Sequence, residues 1–387
     1  MTAASTRFIA AAVAVAALLV AIAPQSEAHK PITSPFTFNE DVFPIVRDRC
    51  AACHVSGGVA PMSLLTHSEA VPWGESIRVE LLSGHMPPWS VDSAPARFRN
   101  VQLLSAREMN VLLTWVSGGT PVGDPEKPPP AVDRQGGWPL GVPDLVLPLP
   151  EAALTADTQE SIAEFTIALP PGTPRTLRAI DLLPGTPAIV RSAIVTSTSG
   201  DATAAPGDGK STSERTLALW LPGDHPLPLD EGAAFRVPDD GQISVRIRYR
   251  KTWEYERMTM TDRSRIGLYF AREPAAEARS IVLTPAGTIT REPLRAIAIY
   301  PDASFADANV RVIAARPNGS REELIAFRPK RGWTRRYWFV EAVPLPAGTR
   351  LEVEMIPDGE GFLPPGAPPP QPADPSTVRL VLNVLPD

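Results

Sequence analysis

Cys50-Ala51-Ala52-Cys53-His54 uses the only two cysteines in the chain and sets a histidine directly after them. C-x-x-C-H is the spacing by which two thiols add to the vinyl groups of one haem while the next imidazole is brought to its iron. Other readings of the same residues fare poorly. A zinc site needs a fourth ligand, usually from a second Cys or His pair, and no spare cysteine exists. A dithiol redox motif has no need of His54 and belongs on a βαβ pattern that this sequence lacks. The motif therefore predicts one covalent haem c, with Cys50 and Cys53 as thioether anchors and His54 as proximal iron ligand.

Working outward, Gly84-His85-Met86-Pro87-Pro88-Trp89 offers a second axial ligand. Met86 is the expected distal ligand, since a thioether raises the reduction potential and suits electron transfer; His85 is the alternative and would lower it. The prolines stiffen this loop, and Trp89 is placed to cover the haem edge. Met62, Trp73, Leu81 and Leu104 read as core beside the haem, and His67 as a surface histidine. Helical periodicity runs through the same region. Phe38 to Arg49 reads as a helix with Asn39 as N-cap and Val42, Ile45 and Val46 on one face. Trp73, Ile77 and Leu81 recur every four residues. Ser105 and Glu108 form a capping box ahead of the stripe Met109, Leu112, Leu113 and Val116, and Gly118-Gly119 ends that helix. A helix before the motif and a closing helix after the distal ligand predict a small all-α cytochrome c domain over 36–120.

The rest of the chain reads differently. Residues 1–28 have the form of a secretory signal, with Arg7 ahead of an apolar run and Ser26-Glu27-Ala28 as cleavage site, which implies a periplasmic address. The alternative is an uncleaved membrane anchor. No cysteine sits at the end of the apolar run, so a lipoprotein anchor is excluded. With both cysteines committed to haem, no disulfide framework is expected. The net charge of −6 is spread over mixed acidic and basic residues, which argues against nucleic acid as a partner. The 45 prolines suit loops, edge strands and linkers rather than long helices. Residues 121–149 read as a proline-rich stiff linker. Short β-prone runs such as Thr176 to Leu183, Gln242 to Tyr249 and Arg265 to Phe270 predict a sandwich over 150–275. A second series, including Leu294 to Tyr300, Val310 to Ala315 and Tyr337 to Val343, predicts another over 276–387.

Once assembled, these residues carry a resemblance. Asn39-Glu40-Asp41-Val42, the haem motif, Gly57 to Thr66, Met86-Pro87-Pro88-Trp89 and the stretch from Gly137-Trp138 to Pro143-Asp144 resemble the N-terminal cytochrome c domain of bacterial proteins similar to copper type II, ascorbate-dependent monooxygenases. Leu221-Pro222-Gly223, Asp262 to Phe270 and Leu345 to Thr349 are similar to that family's paired jelly-roll sandwiches. The fold class so implied is multidomain: a small all-α cytochrome c domain followed by two all-β jelly-roll-like sandwich domains. The family binds one copper through an adjacent His-His pair and a later His-Tyr step, and a second through a His-x-His pair and a methionine. Here those positions fall on Arg191-Ser192, on Arg248 before Tyr249, and near Asp302 to Ser304. Only His225 stands beyond residue 85. Arginine stays protonated and offers no lone pair, so copper is not expected. An amino-terminal His29 would need a second histidine to hold copper, and nothing marks one.

The function expected from the sequence is a periplasmic monohaem c-type cytochrome carrying single electrons between redox donor and acceptor proteins. Its metal-free sandwiches would serve docking or assembly, for instance as an accessory subunit of a larger membrane redox complex. The alternatives are an oxygenase of reduced or altered metal use fed electrons by the haem, drawing on Asp302, Asp262, His225 and Met355, and a haem-based sensor or structural protein.

Overall fold

The computed structural model describes residues 33–387 except 90, 92–96, 100, 133–136, 200–212, 231, 238–241, 273, 303–308, 329–331 and 357–377. The expected signal segment, His29, Ser304 and the proline-rich run from 364 to 375 lie outside the described residues.

Among the described residues strand dominates, at 39% against 15% helix. Eleven strands precede residue 278 among the described residues: β1 (Leu145–Pro148), β2 (Ala152–Leu154), β3 (Glu160–Ala168), β4 (Thr176–Leu183), β5 (Val190–Ser199), β6 (Ser213–Trp220), β7 (Ala233–Arg236), β8 (Gln242–Arg250), β9 (Met260–Asp262), β10 (Arg265–Phe270) and β11 (Ala276–Glu277). They form one sheet in the order β1-β10-β4-β7-β11, a second in the order β3-β8-β5-β6, and the pair β2-β9. In β8 the side chains of Ile243, Val245, Ile247 and Tyr249 are buried while Arg246 and Arg248 face outward, the period of two that a half-buried strand requires. Leu177, Ile180, Leu182, Ile266 and Leu268 meet them across a shared core.

The remaining strands are β12 (Arg279–Leu283), β13 (Thr288–Ile289), β14 (Leu294–Pro301), β15 (Val310–Ala315), β16 (Arg321–Phe327), β17 (Tyr337–Leu345), β18 (Arg350–Met355) and β19 (Leu380–Pro386). They make the sheets β12-β19-β14-β17 and β13-β18-β15-β16 around a second core. Ile297 and Leu385 turn the other way and enter the core of the first sheet pair, so the two β units are packed on each other.

The expectation of a small all-α cytochrome c domain is corrected by this architecture. Between residues 38 and 117 the described helices are short: a π-helical turn (Phe38–Val42), α1 (Phe43–Arg49), α2 (His67–Ala70), a 3-10 turn (Val71–Trp73), α3 (Gly74–Leu82) and α4 (Ala106–Ser117). Turns and bends fill residues 50–66. Phe38, Val46, Leu81, Leu112 and Trp115 cluster among these pieces, with Trp73, Ile77 and Leu104 against them. The chain between α3 and α4 does not stay with that cluster. Trp89, Val91 and Phe98 are buried in the second β core, Val91 bridges Phe327, and Phe98 bridges Phe339. Arg99 N–H donates to the Trp338 carbonyl at 2.8 Å. Burying three large apolar side chains contributes roughly 5 kcal/mol or more, which outweighs any local preference of this aperiodic stretch for the helices. The helices are thus an appendage threaded into a β-rich molecule.

Local signals fared variously. Ser105 and Glu108 form the capping box: Ser105 Oγ accepts from Glu108 N–H at 3.2 Å and Glu108 Oε2 accepts from Ser105 N–H at 2.6 Å. Thr66 and Glu69 form a second one that sequence reading overlooked. Asn39 is not a cap; the helical turn starts after Thr37, and the Asn39 amide donates to the Asp124 carbonyl at 3.0 Å. The proline-rich stretch after α4 packs on its neighbours. The Trp115 indole donates to the Pro121 carbonyl at 3.0 Å, and Tyr269 Oη donates to the Gly141 carbonyl at 2.9 Å.

That strap buries a carboxylate. Asp181 of β4 lies opposite Gly267 of β10, where a Cβ would stand 2.6 Å from Pro143 and 2.8 Å from Trp138. Asp181 is 4% exposed, it accepts a hydrogen bond from Leu182 N–H at 2.8 Å, and burial pushes its pKa up to about 7. A raised folded pKa means the native state holds a proton that the unfolded state releases. Stability therefore falls as pH rises from the unfolded value of 3.8 to about 7 and is level above it. Asp181→Asn keeps the acceptor and cannot ionise. Its advantage in thermal melts is expected to be small at pH 4, to grow through pH 7, and to reach at most about 4 kcal/mol at pH 8. An advantage independent of pH would show that Asp181 ionisation is not the cause.

Among the described residues no helix is long and apolar enough to cross a membrane.

Candidate functional site

The Cys-x-x-Cys-His stretch caps α1. Cys50 and Ala51 N–H both donate to the Val46 carbonyl at 2.9 Å, so the helix closes as the first cysteine arrives. The chain then turns on itself: Cys53 N–H and His54 N–H reach the Cys50 carbonyl at 3.0 and 2.8 Å. Ala60 N–H returns to the Cys53 carbonyl at 3.1 Å and Leu64 N–H to the His54 carbonyl at 3.2 Å, pinning the loop that follows. Both thiols and the imidazole thus share one compact turn.

The two sulfurs are free of each other. Burial pushes the Cys50 thiol up to about 12, with Cys53 and Glu108 adding to it. Burial also pushes Cys53 up to about 11; Asp224 adds to this, and Arg335 and Arg191 oppose it. Protonated thiols are poor nucleophiles and poor ligands for a bare metal ion, which disfavours dithiol exchange here. Burial holds His54 below the usual histidine value, opposed by the Met62 backbone. Its ring is neutral at pH 7 and keeps a lone pair. His54 Nδ1 is buried and no hydrogen bond of standard geometry reaches it.

The other expected residues are placed less tightly. Met86 follows α3 with its N–H donating to the Glu80 carbonyl at 3.2 Å; its side chain is partly buried and its peptide bond to Pro87 is cis. His85 is 66% exposed, with Nδ1 3.3 Å from Glu80 Oε2. The cluster that takes in Cys50 and Met62 includes neither of them among the described residues. Trp89 sits in the second β core, edge-on to Tyr337 with ring centroids 5.2 Å apart. His67 is not simply a surface group: its Nε2 meets the Thr120 carbonyl at 2.8 Å and its ring packs edge-on to Phe38 and Trp115.

The β units supply neighbours to the motif that sequence reading missed. The Pro222 carbonyl lies 3.6 Å from Cys53 Sγ. Gly223 has a φ of +81°, and a Cβ there would stand 2.8 Å from Ala52, so both its conformation and the close approach require glycine. Arg191, where the resemblance would place a copper histidine, donates to the Val59 carbonyl in the loop after the motif and to the Arg250 carbonyl at 2.9 Å. Asp224 is paired with Arg335 at 2.7 Å. No local pattern announces these partners, because they come from turns and strands more than a hundred residues downstream.

Asp302, Asp262, His225 and Met355 are not assembled into a site. Asp302 pairs with Arg379 at 3.3 Å, Asp262 is buried against Tyr249, Met355 packs on the second core, and His225 lines a groove with Arg178, Trp220 and Trp338. Among the described residues no three His, Cys, Asp or Glu side chains are grouped to hold a metal ion.

The residues of the turn do fit a covalently attached haem: two unlinked thiols in C-x-x-C spacing, and a partly buried neutral imidazole directly after them. No protein-family model matches this chain, and a search of curated proteins found no match.

Proposed function

We propose that the chain is an exported electron-transfer protein that carries one covalent haem on Cys50 and Cys53, embedded among β-sandwiches rather than housed in a separate helical domain. The observation that carries this reading is the single turn that presents two free thiols and a partly buried neutral His54 together. A haem held there supplies one reversible electron. The chain's own residues do the rest. Cys50 and Cys53 fix orientation through two thioether anchors, and His54 offers a ring nitrogen to the iron. The Cys53 and His54 backbone bonds to Cys50 keep these groups in register. Met86 is the proposed second ligand, with His85 as its competitor. The packed β units exclude water from one side of the turn and present the remaining surface to redox donor and acceptor proteins. Assembly into a larger membrane redox complex is part of the same proposal.

The test is optical and electrochemical. Full-length protein matured with haem-attachment machinery is expected to show a reversible one-electron couple. Met86→Ala is expected to open the ferrous form to carbon monoxide while His85→Ala leaves it closed. A reversed pattern would move the ligand to His85, and a redox-silent protein would remove the reading.

A further inference from the structure

The turn that carries Cys53 is seated on a polar cluster drawn from both β units. Asp224 follows the Pro222-Gly223 step that touches Cys53 and Ala52. Arg335, from the strand-free approach to β17, grips Asp224 with two nitrogens: Nη2 is 2.7 Å from Oδ1 and Nε is 3.1 Å from Oδ2. Gln102 closes the triangle, accepting from Arg335 Nη2 at 2.9 Å and donating to Asp224 Oδ1 at 3.0 Å. This arrangement uses one edge of the guanidinium and leaves Nη1.

Arg335 Nη1 is buried without a hydrogen-bond partner among the described residues, and so is the indole Nε1 of Trp89. The two groups are neighbours, the guanidinium carbon standing 5.8 Å from the Trp89 ring. Both residues are deeply covered, at 2% and 5% exposure. A buried donor left without an acceptor is costly, and more so when it is charged, so a pair side by side is an arrangement waiting for an acceptor. One charged donor beside one neutral donor matches a carboxylate, which has two oxygens and no hydrogen of its own. A second cation strengthens that match. Arg191 flanks the same turn from the first β unit, and its hydrogen bonds go to the backbone carbonyls of Val59, Ala188 and Arg250 rather than to a carboxylate.

We propose that Arg335 Nη1 and Trp89 Nε1 form a carboxylate seat, and that it takes a carboxylate of the haem anchored on Cys50 and Cys53. The proposal rests on the haem reading above. It makes the second β unit a structural part of the redox site, and it explains why the stretch holding Trp89 leaves the helices to be buried there.

The test uses full-length matured protein, with Arg335→Gln and Trp89→Phe variants. Trp89→Phe keeps an aromatic ring in the core and removes the N–H with the five-membered part of the indole, a milder change than losing the buried Arg335 charge, so it tests the seat even if Arg335→Gln fails to fold. A carboxylate held by these donors stays ionised, and the reduction potential of the parent protein is expected to be level from pH 5 to 8. In either variant the pH at which the potential begins to vary should rise by about one unit, a tenfold change in carboxyl acidity. The haem-free Cys50→Ser/Cys53→Ser protein serves as the second arm. There sodium propionate, added to the protein that retains Trp89, should leave the tryptophan fluorescence unchanged. Haem present with an unchanged pH profile in both variants would overturn the seat while sparing the haem reading. Propionate binding to the haem-free protein would assign the seat to a free acid instead. A matured protein without haem would overturn both.

Discussion

Replacing Cys50 and Cys53 together by serine is expected to abolish covalent pigment while leaving the fold intact. The two thiols are the chain's only cysteines, so no other sulfur can substitute. Among the described residues their side chains make one hydrogen bond, the long contact from Cys53 to the Pro222 carbonyl, which a serine hydroxyl can also make. The turn itself is held by backbone bonds from Cys53 and His54 to Cys50, which the substitution does not touch. Stability should therefore change by about 1 kcal/mol or less, the range of a near-isosteric change at a partly covered position. Pigment should fall to background in denaturing gels stained for haem. Each single variant retains one anchor and should stain at an intermediate level. Equal staining of the parent and the double variant would mean that any haem is held without thioether bonds.

Replacing Asp262 by alanine is expected to cost a large share of the molecule's stability. Asp262 is 1% exposed and accepts four hydrogen bonds: from Tyr249 Oη at 3.0 Å, Ser264 Oγ at 2.7 Å, Ser264 N–H at 3.1 Å and Thr186 N–H at 2.7 Å. These tie the corner after β9 to β8 and to the turn that follows β4. Alanine leaves the tyrosine hydroxyl and two backbone N–H groups without acceptors. At about 1–3 kcal/mol each, and with partial relaxation, the loss should be on the order of 4 kcal/mol. Thermal melts should fall by roughly 10 °C. Asp262→Asn keeps one acceptor oxygen and should lose about half as much, while Tyr249→Phe removes one bond and costs about 1 kcal/mol. A melt unchanged in Asp262→Ala would show that water or a shifted backbone satisfies these donors.

The features legible in the sequence were those set by neighbours in the chain. Ser105 and Glu108 lie three residues apart, so their capping box is written locally, and the alternation of Gln242 to Arg250 fixes a half-buried strand by itself. The missed features are long-range. Nothing between Trp89 and Leu103 says that Val91 will meet Phe327 or that Phe98 will meet Phe339, so local periodicity leaves this stretch with the helices and predicts an all-α domain that the described residues do not form. Asn39 reads as a cap, yet Thr37 occupies the capping position and frees the amide for Asp124, a contact set by the return of the chain after α4. At the site, the motif names its three residues by spacing alone. The cluster of Gln102, Asp224 and Arg335 beside it has no such spacing, because two β units must fold and dock before those groups meet.

Iron and copper content, taken with the denatured mass of full-length protein matured by haem-attachment machinery, tests the haem reading most directly. One iron per chain, no copper, and a mass raised by one haem are the expected results. A chain of unmodified mass without iron, or one that holds copper at about one per chain, would contradict it.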